Sequence, residues 1–194
     1  MCQYINQIDT NTKFIIIMHP KEFRKTKNGT GHFTKLSLKN SELFIGIDFS
    51  NHKKINRLIQ NNNCFVLYPH KNSINLNKQN IQNNNKQNII FIIDSSWACS
   101  KKILALSKNI NSLPKISFEY KTPSQFKIKT QPNIHSLSTI ESTLCILELL
   151  NKHNMENIKK VQLENFLAPF KKMVEYQINC ASEKNIKNPR FLIR

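Results

Sequence analysis

The chain has 194 residues, enough for one domain with a substantial core and too few for two full domains. Its 29 lysines and arginines outnumber 12 aspartates and glutamates, giving a formal net charge of +17 spread along the sequence, which points to a polyanionic partner, nucleic acid first. Cys2, Cys64, Cys99, Cys145 and Cys180 lie far apart with no CxxC pair, which excludes a zinc ribbon or a disulfide framework, and no apolar run is long enough to cross a bilayer.

Residues 1–12 are polar and carry no period. Lys13–Met18 (KFIIIM) predicts a buried strand, ended by His19-Pro20-Lys21-Glu22, where the proline cannot continue a ladder. Lys25–Thr34 (KTKNGTGHFT) then holds Gly29 and Gly31 with Thr30 between them. Such a loop permits close backbone approach to a ligand, although a plain turn uses the same residues and the phosphate-loop signature is missing. Leu43–Asp48 (LFIGID) predicts a third strand segment, and Ile55, Leu58 and Ile59 within His52–Gln60 take helical spacing. Cys64–Pro69 (CFVLYP) predicts the next strand.

From His70 to Asn88 the chain is an Asn, Gln and Lys tract in which Ile74, Leu76 and Ile81 are too isolated to make a face, so residues 71–88 read as a low-complexity, mobile loop. A coding background rich in AT also yields this composition and raises lysine content without any selection for binding. Ile89–Trp97 (IIFIIDSSW) follows: five apolar residues ending in an aspartate, two serines and the only tryptophan. A buried parallel strand delivers polar groups to the carboxyl edge of a sheet in this way, and ligands of open α/β sheets sit at that edge. A helix is expected to start near Ser95 or Ser96, either of which can cap it. Asp94 then stands at a strand-to-helix turn, where an aspartate is more often a turn or capping residue than a catalytic one.

Lys115–Tyr120 (KISFEY) alternates as a strand. Lys121–Pro132 is basic, with Phe126 and Ile128 interleaved by Lys127 and Lys129, a pattern that suits either a phosphate backbone or a solvated edge strand. Ser138-Thr139-Ile140-Glu141 reads as a capping box opening a long apolar helix. Lys159–Asn179 is a further amphipathic helix with a break or kink at Pro169, and residues 184–194 form a basic tail.

Alternation of strand and helix argues for one α/β domain over residues 1–194, built on a mainly parallel sheet with helices on both faces. Three strand ends are polar: His19-Pro20 with Glu22, Tyr68-Pro69-His70, and Asp94 to Trp97. With the helix start at Ser138-Thr139 they make a pocket of one carboxylate, several hydroxyls and aromatic walls. The protein is expected to be soluble and cytoplasmic, with no membrane partner; its oligomeric state is open.

The succession Met18-His19-Pro20-Lys21-Glu22, Asn28 to Thr30, Leu36 and Leu38, Leu67-Tyr68-Pro69, Ile93-Asp94-Ser95-Ser96-Trp97 and Leu137-Ser138-Thr139-Ile140-Glu141 resembles the DTW-domain family of tRNA-uridine aminocarboxypropyltransferases. The resemblance spans roughly Ile15 to Leu150, and its specificity lies in the order of the motifs. It implies transfer of the 3-amino-3-carboxypropyl group of S-adenosylmethionine, used as a co-substrate, to N3 of a uridine in tRNA. It also implies a SPOUT-like fold with a knotted cofactor loop. On that resemblance Asp94 is the catalytic candidate. Ser95, Ser96, Trp97, Pro69, Ser138 and Thr139 are the candidates for cofactor binding, with His19, Glu22, Thr30 and Glu141 in support. Lys25, Lys27, Lys127 and Lys129 are the candidates for RNA contact.

Three departures from the family pattern are visible. Ser96 stands where the family usually has threonine. Only Cys2 is present where members often carry a cysteine cluster, so no metal is expected. Lys127 and Lys129 stand in place of arginines, keeping charge but not the bidentate fork. Two other readings remain at this level: an RNA methyltransferase using the same cofactor, and a non-catalytic RNA-binding protein.

Overall fold

The computed structural model describes residues 2–25, 28–81, 85–120, 122–126 and 136–183. Lys27, Lys127, Lys129 and the basic tail at 184–194 lie outside them.

The sheet is formed by β1 (Lys13–Met18), β2 (Ser41–Ile45), β3 (Asn63–Leu67), β4 (Ile74–Asn75), β5 (Asn88–Asp94) and β6 (Lys115–Ser117). Its order is β2-β1-β5-β3-β6-β4 and every pairing is parallel. β1 and β5 carry near-continuous β-branched runs because they lie in the interior of the sheet with both faces covered. Side chains alternate between the faces. Ile15, Ile17, Ile89 and Phe91 meet α3 (Lys53–Asn61) and α4 (Trp97–Leu106) through Ile55, Ile103 and Leu104. Phe14, Ile90 and Ile92 point the other way, toward α2 (Thr30–Ser37), α6 (Thr139–Lys152) and α8 (Ala168–Glu183) through Phe33, Ile146, Leu147 and Phe170. Helices therefore cover both faces, as the alternation predicts. Among the described residues no helix is long and apolar enough to cross a membrane.

The structure corrects several local expectations. Residues 2–12, polar and without period, are tied into the fold: Cys2–Tyr4 is a 3-10 turn, Ile8 is buried and bridges Leu38, and the Asn11 and Thr12 amides each donate to the buried Glu156 carboxylate at 2.8 Å. The tract at 71–88 is likewise only partly a loop, since β4 pairs with β6 and both Leu76 and Ile81 are buried in the core. Neither set is periodic, because each apolar residue is buried by elements distant in sequence. The Gly-Thr-Gly segment does not form an open loop: α2 begins at Thr30. The long carboxyl-terminal helix is two, α7 (Lys160–Asn165) and α8. Pro169 lies in the first turn of α8, where its missing N–H costs no intrahelical bond.

Candidate active site

Neighbouring parallel strands in register bring chain-distant strand ends together. Met18 pairs with Asp94 at the carboxyl ends of β1 and β5, and the His19 amide extends the ladder by donating to the Asp94 carbonyl at 3.1 Å. Beyond Asp94 the chain turns into α4, with Ser96 as its cap. The Ser96 Oγ accepts from the Cys99 amide at 3.4 Å, while the Ser95 and Ser100 hydroxyls pair at 2.8 Å. On the opposite side α6 begins at Thr139, and its Oγ1 donates to Asp94 Oδ1 at 2.5 Å.

Asp94 is 9% exposed, and the backbone of Gly31 lies directly against it. A Cβ at Gly31 would land on Asp94 Oδ2, 2.7 Å from Asp94 Cγ and 2.8 Å from Met18 Cε. The close approach that the glycine segment permits is thus to the Asp94 carboxylate.

A cleft of about 440 Å³ opens at this carboxyl edge. Leu67, Tyr68 and Pro69 line it from the end of β3, Ile92, Ile93, Ser95, Trp97 and Ser100 from β5 and α4. Ser117, Phe118, Ser136, Leu137, Thr139 and Ser142 complete it from the ends of β6 and the start of α6. The walls are apolar and aromatic, with six serine and threonine hydroxyls and the Tyr68 phenol among them. Trp97 is not core filling: it is 45% exposed at the rim, its ring 6.0 Å from that of Tyr68 and inclined by 63°.

Of the residues picked from the sequence, Ser95, Trp97, Pro69 and Thr139 line the cleft, and Asp94 stands behind Thr139. Ser96 and Ser138 do not line it, because their hydroxyls are engaged at helix starts. Glu141 is buried and accepts from the Ser138 amide (2.9 Å), Ser138 Oγ (2.5 Å), Ser124 Oγ (2.7 Å) and the Gln125 amide (2.7 Å), so it fastens segment 124–125 to the start of α6. Thr30 opens α2, its carbonyl accepting from Thr34 Oγ1 at 2.9 Å. Lys25 ends α1 (Pro20–Lys25), in which Glu22 is partly exposed.

His19 is buried, and its Nδ1 accepts from the Lys21 amide at 3.1 Å. Its pKa is held below the ordinary value, first by burial, then by Lys21, Lys102 and Arg24 against the opposing pull of Glu22. Burial also pushes the Cys64 and Cys145 thiols up to about 12. Among the described residues no three His, Cys, Asp or Glu side chains group so as to hold a metal ion.

Ser100, Ser117, Ser136 and Ser142 were missed in the sequence. Ser142 lies one helical turn after Thr139, and Ser117 follows a strand, so spacing held a signal for both. Ser100 is shared between α4 packing and the cleft, which spacing cannot separate.

The family match bears on what this cleft does. The DTW domain matches residues 1–178. The chain is similar to proteins named tRNA-uridine aminocarboxypropyltransferase 2. It is 23% identical to that of Macaca fascicularis over 99% of this chain and 64% of the relative, and 24% identical to that of Mus musculus over 100% of this chain and 64% of the relative. It is 22% identical to that of Drosophila melanogaster over 95% of this chain and 71% of the relative. The chain thus spans a little under two thirds of the mammalian relatives. No solved structure matches.

Proposed function

The chain belongs to the DTW-domain family, and from that premise we propose that it is a tRNA-uridine aminocarboxypropyltransferase, moving the 3-amino-3-carboxypropyl group of S-adenosylmethionine to N3 of a uridine in tRNA. The observation that carries this reading is the hydroxyl-lined cleft with the Thr139–Asp94 pair at its wall.

The cleft suits S-adenosylmethionine in size and chemistry. Its volume of about 440 Å³ falls within the ~300–1,000 Å³ common for small-molecule sites. Apolar and aromatic walls at Leu67, Tyr68, Ile92 and Phe118 suit a purine, and Ser95, Ser100 and Ser142 offer hydrogen bonds to ribose or amino-acid groups. When bound, S-adenosylmethionine supplies a sulfonium leaving group, so that the N3–Cγ bond forms as the Cγ–S bond breaks and methylthioadenosine departs with the electron pair. The protein's main task is then to select which carbon faces the nucleophile, which is a matter of positioning.

The uridine imide must also lose its N3 proton. Thr139 Oγ1 gives its own hydrogen to Asp94 and so presents lone pairs to a donor in the cleft. The imide N–H is such a donor, and Asp94, acting through Thr139, takes up the proton. Gly31 at its back keeps the carboxylate aimed at Thr139, while His19 ties the β1 end to the Asp94 backbone.

The test is nucleoside mass spectrometry of unmodified tRNA incubated with the protein and S-adenosylmethionine. The expected product is a uridine heavier by one aminocarboxypropyl group, with methylthioadenosine as by-product. Adenosylhomocysteine in its place would identify a methyltransferase, and RNA binding with no calorimetric response to S-adenosylmethionine would identify a non-catalytic binder. Asp94→Asn should abolish transfer with fold and tRNA binding kept, since the asparagine oxygen still accepts from Thr139. Retained turnover would remove Asp94 from the mechanism.

A further inference from the structure

The rim of the cleft beside Asp94 has a composition of its own. α1 leaves the end of β1 and α4 leaves the end of its neighbour β5, so the first turns of both helices rise from one stretch of sheet edge. On that rim Lys21, Arg24, Lys101 and Lys102 are exposed, and Glu22 is the one acidic residue in either helix. Some cations elsewhere are paired with acids: Lys13 and Lys54 with Glu42, Lys39 with Asp9, Lys78 with Glu119, Lys160 with Glu164 and Lys172 with Glu175. Among the described residues Lys21, Lys101 and Lys102 form no ion pair.

Aromatic rings are interleaved with these charges. Trp97 is the only tryptophan in the sequence, yet it is left 45% exposed, one helical turn from Lys101 and so on the same side of α4. Phe23 on α1 is 44% exposed, its ring edge-on to His32 at 5.6 Å. Trp97 stands above the buried Ser100 and Leu104 on α4, its ring half out at the rim of the cleft. Exposed aromatic faces beside cations form the surface that single-stranded nucleic acid uses: bases stack on the rings while phosphates meet the lysines.

We infer that the rim built from α1 and the first two turns of α4 is the path along which an RNA strand enters the cleft, an unstacked base lying on Trp97 and the phosphates running past Lys21, Arg24, Lys101 and Lys102. This rests on the reading of the cleft as a site for a tRNA uridine, and it places RNA contact on residues other than Lys127 and Lys129.

The lone tryptophan makes the test direct, because its fluorescence reports this site only. A short oligouridylate, which contains no purine, should quench it with the same midpoint that filter binding gives. Lys101→Glu with Lys102→Glu should weaken that binding and flatten its dependence on the logarithm of salt concentration by about 0.7 per lost phosphate contact. Lys86→Glu with Lys115→Glu makes the same charge change at the amino edge of the sheet and should leave affinity near wild type. The inference is overturned if the wild type binds no RNA, if RNA binds without quenching, or if the amino-edge pair weakens binding equally. Oligouridylate that adds no change to the fluorescence of the protein saturated with S-adenosylmethionine would also overturn it, assigning Trp97 to the cofactor. The two readings separate cleanly: rim-dependent RNA binding without modified uridine sinks the transferase and leaves the rim standing, whereas modified uridine with undiminished affinity in the Lys101→Glu, Lys102→Glu variant sinks the rim alone.

Discussion

Gly31→Ala isolates the geometry on which the site depends. In an unobstructed helix this change stabilises by up to about 1 kcal/mol, since alanine has the better propensity. Here the added methyl would fall on the Asp94 carboxylate and 2.8 Å from Met18 Cε, and Met18 is only 1% exposed, with nowhere to go. Two responses are open. Asp94 can rotate away and lose the 2.5 Å bond from Thr139, at a cost of about 1.5–3 kcal/mol for a hydrogen bond to a charged group. Alternatively α2 can shift, and overpacking costs about 1–3 kcal/mol. Set against the propensity gain, the variant should lose roughly 0.5–2 kcal/mol in urea denaturation at unchanged m-value. A domain with several kcal/mol in hand remains folded after that loss, so transfer activity should fall far more than the folded fraction. A Gly31→Ala protein with a raised urea midpoint and full turnover would refute the argument that this glycine seats the carboxylate.

Glu141→Ala removes the acceptor for one buried hydroxyl, one half-buried hydroxyl and two amides and should cost about 2–5 kcal/mol; an unchanged melting temperature would show that segment 124–125 does not depend on it. His19 is buried neutral with its pKa below the ordinary 6.5, so its contribution is fully present above the unfolded value and is lost as pH falls toward and through the lower folded value. The stability advantage of wild type over His19→Asn should therefore shrink as pH falls below the ordinary 6.5, and a constant difference in urea midpoints would contradict it. Cys64 and Cys145, with thiols pushed up to about 12, should resist maleimide in the native protein while exposed Cys2 reacts. Mass spectrometry of labelled native and denatured protein checks this; early labelling of Cys64 would place it at the surface.

Much of the frame was legible from consecutive residues. KFIIIM, CFVLYP and IIFIID announce interior strands because a strand covered on both faces needs an unbroken apolar run, and the polar residues after each run mark the carboxyl edge. Ser96 and the Ser138–Glu141 pair announce helix starts because capping chemistry is local. What such signals cannot reveal is which hydroxyl is consumed by a cap and which faces a cavity: Ser95 and Thr139 line the cleft while their neighbours Ser96 and Ser138 do not. Ile8, Leu76 and Ile81 gave no period, since each is buried singly by partners distant in the chain. By itself, then, the amino-acid order determined the strands, the caps, the excess of positive charge and the family motifs, all of which depend on neighbours within a few residues. Only the tertiary structure decided that Asp94 lies against Gly31 and beneath Thr139, 45 residues away, and that Trp97 faces outward, because sheet order and helix packing alone set contacts across such separations.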